Sequence, residues 1–286
     1  MPDTPSLRPP LCEAQAESAQ NGKAAVEVTE LSRSFGSLVA VDRLSLSLPA
    51  GQIFGLLGPN GAGKSTTIKM LTTLLPPTSG TAMVAGFDIA RRPGRVRRSI
   101  GYVPQVISAE GSLSGYENLL VFAKLYGIRR SLRAERIQQV LEFMGLTDVQ
   151  NVVVQKYSGG MIRRLEIALA LVHQPPILFL DEPTVGLDPT ARQMVWEHIQ
   201  QLRNELGTTI FMTTHQMGEA DELCDVVAIM HEGRIRAVGT PAELKAGVGD
   251  GATLDDVFAF YTADQTDDRG GYKDVVRVRR TASRLG

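Results

Sequence analysis

Ile53, Phe54, Leu56 and Leu57 form a short apolar run; Gly58-Pro59-Asn60-Gly61-Ala62-Gly63-Lys64-Ser65 follows it, and Ile68, Leu71, Leu74 and Leu75 then recur at helical spacing until Pro76-Pro77. Strand, glycine turn and helix in that order point to an α/β domain, and the octet fills every fixed position of the pattern G-x-x-x-x-G-K-[ST]. By residue frequency alone those fixed positions arise in about one chain per hundred of this length. The flanking elements make accident a poor explanation. Glycines let backbone N–H groups curl around a phosphate, while the helix N-terminus points partial positive charge at it. Lys64 then supplies a point charge for the β- and γ-phosphates and Ser65 a hydroxyl for Mg²⁺, with Pro59, Asn60, Ala62 and Thr66 completing the expected contacts to ATP.

A chain of 286 residues can bury one large core or two small ones. Charges nearly cancel at net -1, so no basic excess argues for nucleic acid. Cys12 and Cys224 sit in dissimilar surroundings, which indicates neither a disulfide framework nor a CxxC metal site and fits a reducing compartment. Met1 is followed by Pro and Asp, unlike a secretory leader, and no stretch reaches the ~18 to 20 consecutive apolar residues of a membrane span.

Along the chain, residues 1–24 are rich in Pro, Ser, Ala, Gln and Glu and read as a mobile tail. Strands are expected at Ala25 to Leu31, Leu44 to Leu48, Gly80 to Ala85 and Ile100 to Val103. Between about residues 108 and 172 the pattern is helical, and strands resume at Ile177. The reading is therefore one domain over 25–245 with an inserted helical subdomain, the strands on either side sharing one sheet with the phosphate loop. Asp188, Pro189 and Gly207 punctuate a helix whose buried stripe is Val195, Ile199, Leu202 and Leu206. Val226 to Met230 and Arg234 to Val238 read as a hairpin-like pair, and Thr240 to Glu243 as a capping-box helix start. Residues 246–286 form an extension, a short helix followed by a basic tail.

Asp181-Glu182 closes the apolar strand Ile177 to Leu180. A carboxylate at the end of a strand beside the phosphate loop can reach the metal, so Asp181 is the expected metal-side acid, and Glu182 is placed to orient or deprotonate a water. Tyr157-Ser158-Gly159-Gly160-Met161 opens a second glycine-lined helix, capped by Ser158.

This set resembles the ATP-binding cassette (ABC) family of nucleotide-binding subunits over roughly Ala25 to Val238, which implies a P-loop NTPase of ABC type with a mixed sheet core and an inserted helical subdomain. The resemblance implies that Phe35 stacks on adenine, where Tyr is usual. It implies that Gln105 is the Q-loop glutamine, sensing metal or γ-phosphate and facing a permease, that Asp188 is the D-loop aspartate and that His215 is the switch histidine on the γ-phosphate. It also implies that Ser158, Gly159 and Gly160 complete the site of a second copy or of a paralogous ATPase. The expected catalytic set is Glu182, His215 and Lys64, and the expected metal set Ser65, Gln105 and Asp181. The expected setting is the cytoplasmic face of a membrane, held there through an integral permease, without nucleic acid. The commonest signature is L-S-G-G-Q. Y-S-G-G-M is similar to the branch of daunorubicin-resistance-type, lipid and polysaccharide exporters.

Two basic runs, Arg91, Arg92, Arg95, Arg97 and Arg98 before the Q-loop and Arg277, Arg279, Arg280 and Arg284 near the end, read either as solvated faces or as contacts with a permease or anionic lipid. Two other classes compete. A soluble cassette ATPase acting on nucleic acid or ribosomes would bring a second cassette, a long coiled-coil insert or a basic linker. A small-molecule kinase would leave the Ser158 helix unexplained.

Overall fold

The structure, a computed structural model, describes residues 24–263. Strand β3 (Ile53–Leu57) is buried at every position, as are β7 (Ile177–Asp181) and β8 (Thr209–Thr214). Continuous burial is what a parallel strand covered on both faces requires. These three pair in parallel as β3-β8-β7, with β6 (Ile100–Val103) beyond β7 and β9 (Val226–His231) on the other side of β3. β10 (Arg234–Gly239) returns antiparallel to complete a mixed six-stranded sheet, β10-β9-β3-β8-β7-β6. Alternation along each strand sends Phe54, Phe179 and Phe211 to one face and Ile53, Leu57, Leu178, Leu180, Ile210 and Met212 to the other. The three phenylalanines stand opposite one another in register and form a ladder, with ring centroids 4.9 and 5.4 Å apart.

The early strands make a sheet of their own. β1 (Ala24–Phe35) and β2 (Leu38–Pro49) form a hairpin, and with β4 (Ser79–Val84) and β5 (Phe87–Asp88) they give an antiparallel sheet, β2-β1-β4-β5. The strands flanking the helical insert do share a sheet with the phosphate loop, while a second sheet packs over it. Between the two sheets lies α1 (Lys64–Leu71), whose Ile68, Met70 and Leu71 join the phenylalanine ladder and Val26, Leu31, Leu44 and Leu48 in one apolar cluster. α1 ends before the sequence periodicity does. Thr73 adopts a left-handed φ of 63°, the Leu74 and Leu75 N–H groups both bond back to the Lys69 carbonyl, and Leu74 points outward. The helix thus stops at Leu71, short of the expected Pro76-Pro77, although Leu75 still packs against the cluster.

α2 (Pro93–Ser99) leads into β6. Its Val96 is buried and the five nearby arginines are exposed. Between β6 and β7 come α3 (Gly115–Leu125), α4 (Arg130–Phe143) and α5 (Gly159–Leu171), packed through Leu119, Ala123, Ile137, Leu141 and Leu165 onto the second face of the six-stranded sheet. Ser114 and Glu117 form a capping box for α3, and Ser158 accepts from the Met161 N–H to cap α5. Tyr157 belongs to this core, its hydroxyl donating to the Val149 carbonyl at 2.8 Å. α6 (Pro189–Leu206) is capped by Asp188 and closed by left-handed Gly207. Val195, Ile199 and Leu202 are fully buried, and Leu206 is partly so. α7 (Met217–Leu223), α8 (Pro241–Val248) and α9 (Leu254–Thr262) complete the described chain. Cys224 is buried against Gly55, and burial raises its thiol far above the usual range. Among the described residues no helix is long and apolar enough to cross a membrane. Residues 1–23, with Cys12, and the arginines at 277, 279, 280 and 284 lie outside the described residues.

Candidate nucleotide site

Three loops meet at the C-terminal ends of the neighbouring strands β3, β8 and β7, the edge where open parallel sheets place their ligands. The loop after β3 is threaded closely through the fold. A Cβ on Gly58 would come 2.3 Å from the Met230 carbonyl oxygen, and one on Gly63, whose φ is 106°, would come 2.4 Å from that of Ala40. Gly63 is also the N-cap of α1 and offers no side chain to it, so the first-turn N–H groups of Lys64, Ser65 and Thr66 are left for an external acceptor. That backbone cradle fits a polyphosphate.

Lys64, only 4% exposed, donates from Nζ to the carbonyls of Gly58 (2.7 Å) and Pro59 (3.1 Å) and stands 3.3 Å from Glu182 Oε1. His215 Nδ1 is 3.2 Å from the other Glu182 oxygen, and Gln105 Nε2 donates to that same oxygen at 3.5 Å. Glu182 is 5% exposed, so the Lys64 charge is what makes its burial tolerable. Its backbone is strained: φ is 50°, left-handed in a residue without glycine's freedom, a cost that persists only where surroundings enforce it. Thr213 enforces it, its hydroxyl accepting from the Glu182 N–H at 3.0 Å while donating to Asp181 Oδ1 at 2.6 Å. Ser65 Oγ donates to the same Asp181 oxygen at 3.1 Å. Burial and the Asp181 carboxylate push the Tyr102 phenol up to about 12, keeping it neutral beside this charge. Among the described residues no cluster of three His, Cys, Asp or Glu could hold an ion alone. The hydroxyl and carboxylate of Ser65 and Asp181 are the hard oxygen pair that suits Mg²⁺ when phosphates supply the rest of its shell. Gln105 touches Glu182, and no described hydrogen bond ties it to Ser65 or Asp181.

The second glycine-lined helix end is elsewhere. Ser158, Gly160, Met161 and Arg164 line a shallow hollow with Asp188, Thr190, Ala191 and Met194. A Cβ on Gly160 would come 2.8 Å from that of Ala191, so glycine there lets α5 and α6 approach. Asp188 accepts from the Ala191 N–H. Among the described residues no hydrogen bond or ion pair joins Ser158, Gly159 or Gly160 to Lys64, Ser65, Asp181 or Glu182. Phe35 ends β1, 46% exposed, with the Arg33 guanidinium 4.6 Å above its ring centre. That guanidinium is tethered to the Pro76 carbonyl at 2.9 Å.

Sequence reasoning did not single out Thr213, Arg163, Glu166 or Glu219. Glu219, fully buried, accepts from Thr184 Oγ1 at 2.7 Å and Trp196 Nε1 at 3.1 Å and so ties the loop after β7 to α6 and α7. A charged residue in a helical pattern gives no sign that it will be inside.

The family profile described as ABC transporter matches residues 41–185. The chain belongs to the ABC transporter family. It is 45% identical over 225 residues to the "Daunorubicin/doxorubicin resistance ATP-binding protein DrrA" of Streptomyces peucetius, covering 79% of this chain and 68% of that protein. It is 44% identical over 227 residues to the "Nod factor export ATP-binding protein I" of Sinorhizobium fredii, covering 79% and 66%. Among solved structures, "Structure of ATP binding subunit of ABC transporter" superposes with a TM-score of 0.75 at 30% identity, covering 83% of this chain and 99% of that one. As an ABC ATP-binding subunit the protein binds ATP, and its activity is ATP hydrolysis coupled to transport. Subunits of the ABC family work with membrane permeases and pair with one another.

Proposed function

We propose that this chain is the ATPase of an exporter, driving a drug, lipid or polysaccharide-like molecule outward through a separate integral permease, from the cytoplasmic face of the membrane and as a pair with a second copy or a paralogous ATPase. The domain is residues 25–245 with its helical insert at about 108–172, and 246–286 is an appended extension. The names of the two relatives, one for drug resistance and one for export, support the direction and the substrate class. The observation that carries the pairing is the separation of Ser158-Gly159-Gly160 from the Lys64–Glu182–His215 cluster, because a glycine-lined helix end built for an anion then serves a triphosphate held by another copy.

Each side chain has a role in this reading. The Lys64 side chain and the N–H groups of Lys64, Ser65 and Thr66 hold the β- and γ-phosphates. Glu182 accepts the proton of the attacking water at one carboxylate oxygen, and His215 and Gln105, both on Oε2, fix which oxygen that is. Ser65 and Asp181 are the residues that would hold Mg²⁺, which would supply charge neutralisation of the phosphates. Closure of the pair shuts out bulk solvent around the one attacking water and pulls on the permease; hydrolysis reopens it. Purification of the native complex under low salt tests the whole reading. A polytopic membrane protein should come with the chain, whereas ribosomes or DNA in its place would overturn it.

Phe35 gives a sharper test. Phe35 is 46% exposed with Arg33 on one face of its ring, and stacking of a base on the exposed ring is worth about 1 to 3 kcal/mol. Phe35→Ala should therefore weaken ATP by about tenfold and leave tripolyphosphate, which has no base, unchanged. Equal losses for both ligands in a titration would remove the stacking role.

A further inference from the structure

The segment carrying Gln105 is held at both ends by one helix. Arg163 of α5, 7% exposed, donates from Nη1 to the Pro104 carbonyl at 3.0 Å and from Nη2 to the Gln105 carbonyl at 3.4 Å. Glu166, three residues on and 2% exposed, accepts on Oε1 from the N–H groups of Ser108 (2.9 Å) and Ala109 (2.7 Å) and on Oε2 from Ser108 Oγ (2.8 Å). The spacing puts both side chains on one face of the helix. Between the two grips Gln105, Val106 and Ile107 are exposed, and among the described residues no backbone-to-backbone hydrogen bond holds residues 105–109. The clamp therefore fixes this segment through hydrogen bonds whose donor or acceptor is charged, the stronger and more directional kind. The same helix starts at Ser158-Gly159-Gly160, and the clamped Gln105 reaches Glu182.

We propose that Arg163 and Glu166 are positioning residues that set Gln105 against Glu182, so that a displacement of the Ser158 end of α5 by nucleotide on the opposing copy is transmitted to the hydrolytic carboxylate of their own copy. This rests on the roles given above to Gln105 and Glu182. α5 is well suited to act as a rigid lever: Leu165, Ile167, Ala168 and Leu169 pack its flank into the core, and its first turn is capped. Arg163 also feels Glu166, Asp181 and Glu219, whose charges oppose the lowering of its guanidinium by burial, so it is electrostatically tied to the site as well as hydrogen-bonded to the segment.

The test is a double-mutant cycle on the full-length protein, read as steady-state ATPase with melting temperature as a folding control. Glu166→Ala should lower kcat by about tenfold or more with KM for ATP within about threefold, and in a Gln105→Ala background the same change should cost less than about twofold, because the clamp acts through Gln105. Arg163→Lys, which keeps the charge but loses the fork, and Ser108→Ala, which removes one bond at an exposed site, should show smaller losses that also vanish without Gln105. They decide the matter if Glu166→Ala does not fold. Losses of equal size in both backgrounds, or wild-type kcat in all three variants, overturn the clamp. Wild-type turnover in Gln105→Ala alone would instead overturn the underlying assignment of Gln105.

Discussion

Glu182→Gln should lower ATP turnover by about a hundredfold or more while ATP still binds. Among the described residues no other carboxylate meets both Lys64 and His215, and glutamine preserves its shape while removing its capacity to take a proton. Lys64 keeps the two carbonyls of Gly58 and Pro59, so the phosphate cradle stays assembled. Because hydrolysis is what reopens the pair, the variant should accumulate in ATP and Mg²⁺ as a stable dimer by gel filtration, where the wild type passes through that state transiently. Turnover within a few-fold of wild type would strip Glu182 of its role.

A second large effect is a gain. Ser158→Phe alone should abolish turnover, since both composite sites lose the helix end that faces the triphosphate, yet a single copy should bind ATP as before, because the Ser158 side chain caps its own helix and has no described hydrogen bond to its own Lys64 cluster. When Ser158→Phe and Glu182→Gln chains are co-assembled, each mixed pair holds one site with an intact carboxylate and an intact helix end. Random pairing makes half the pairs mixed, so activity should return to about a quarter of wild type from two inactive parents. A mixture no more active than its parents would mean that each copy works alone, or that the natural partner is a different chain.

The phosphate loop was legible because its signal is local: an apolar run, fixed glycines and a helical period within a couple of dozen residues. The caps of α5, α6 and α8 were legible for the same reason, each being one side chain folding back on a backbone group at most three residues away. Leu74 was misread because it continues the 3.6-residue rhythm of α1, and the left-handed turn at Thr73 that ends the helix leaves no mark on that rhythm. The second sheet was missed as a sheet because alternation reports that Leu44, Leu46 and Leu48 share a face and is silent about which layer they face. Thr213, Arg163 and Glu166 are functional only through partners 31 to 59 residues away. Read in place, Thr213 is an ordinary strand residue, and the other two look like the wet side of a helix.

The ladder of Phe54, Phe211 and Phe179 has a consequence for how this protein can vary. It locks three parallel strands against sliding, and the phosphate loop, Asp181-Glu182 and His215 sit on the ends of those strands. Loss or gain of a single residue inside any of them would carry its functional group about 3.3 Å along the chain axis and turn every side chain to the opposite face. Lengthening of the connections between them leaves that alignment untouched. Inherited insertions and deletions should therefore gather in the linkers and spare all three strands, so that the spacing of the reactive groups outlasts most other features of the molecule.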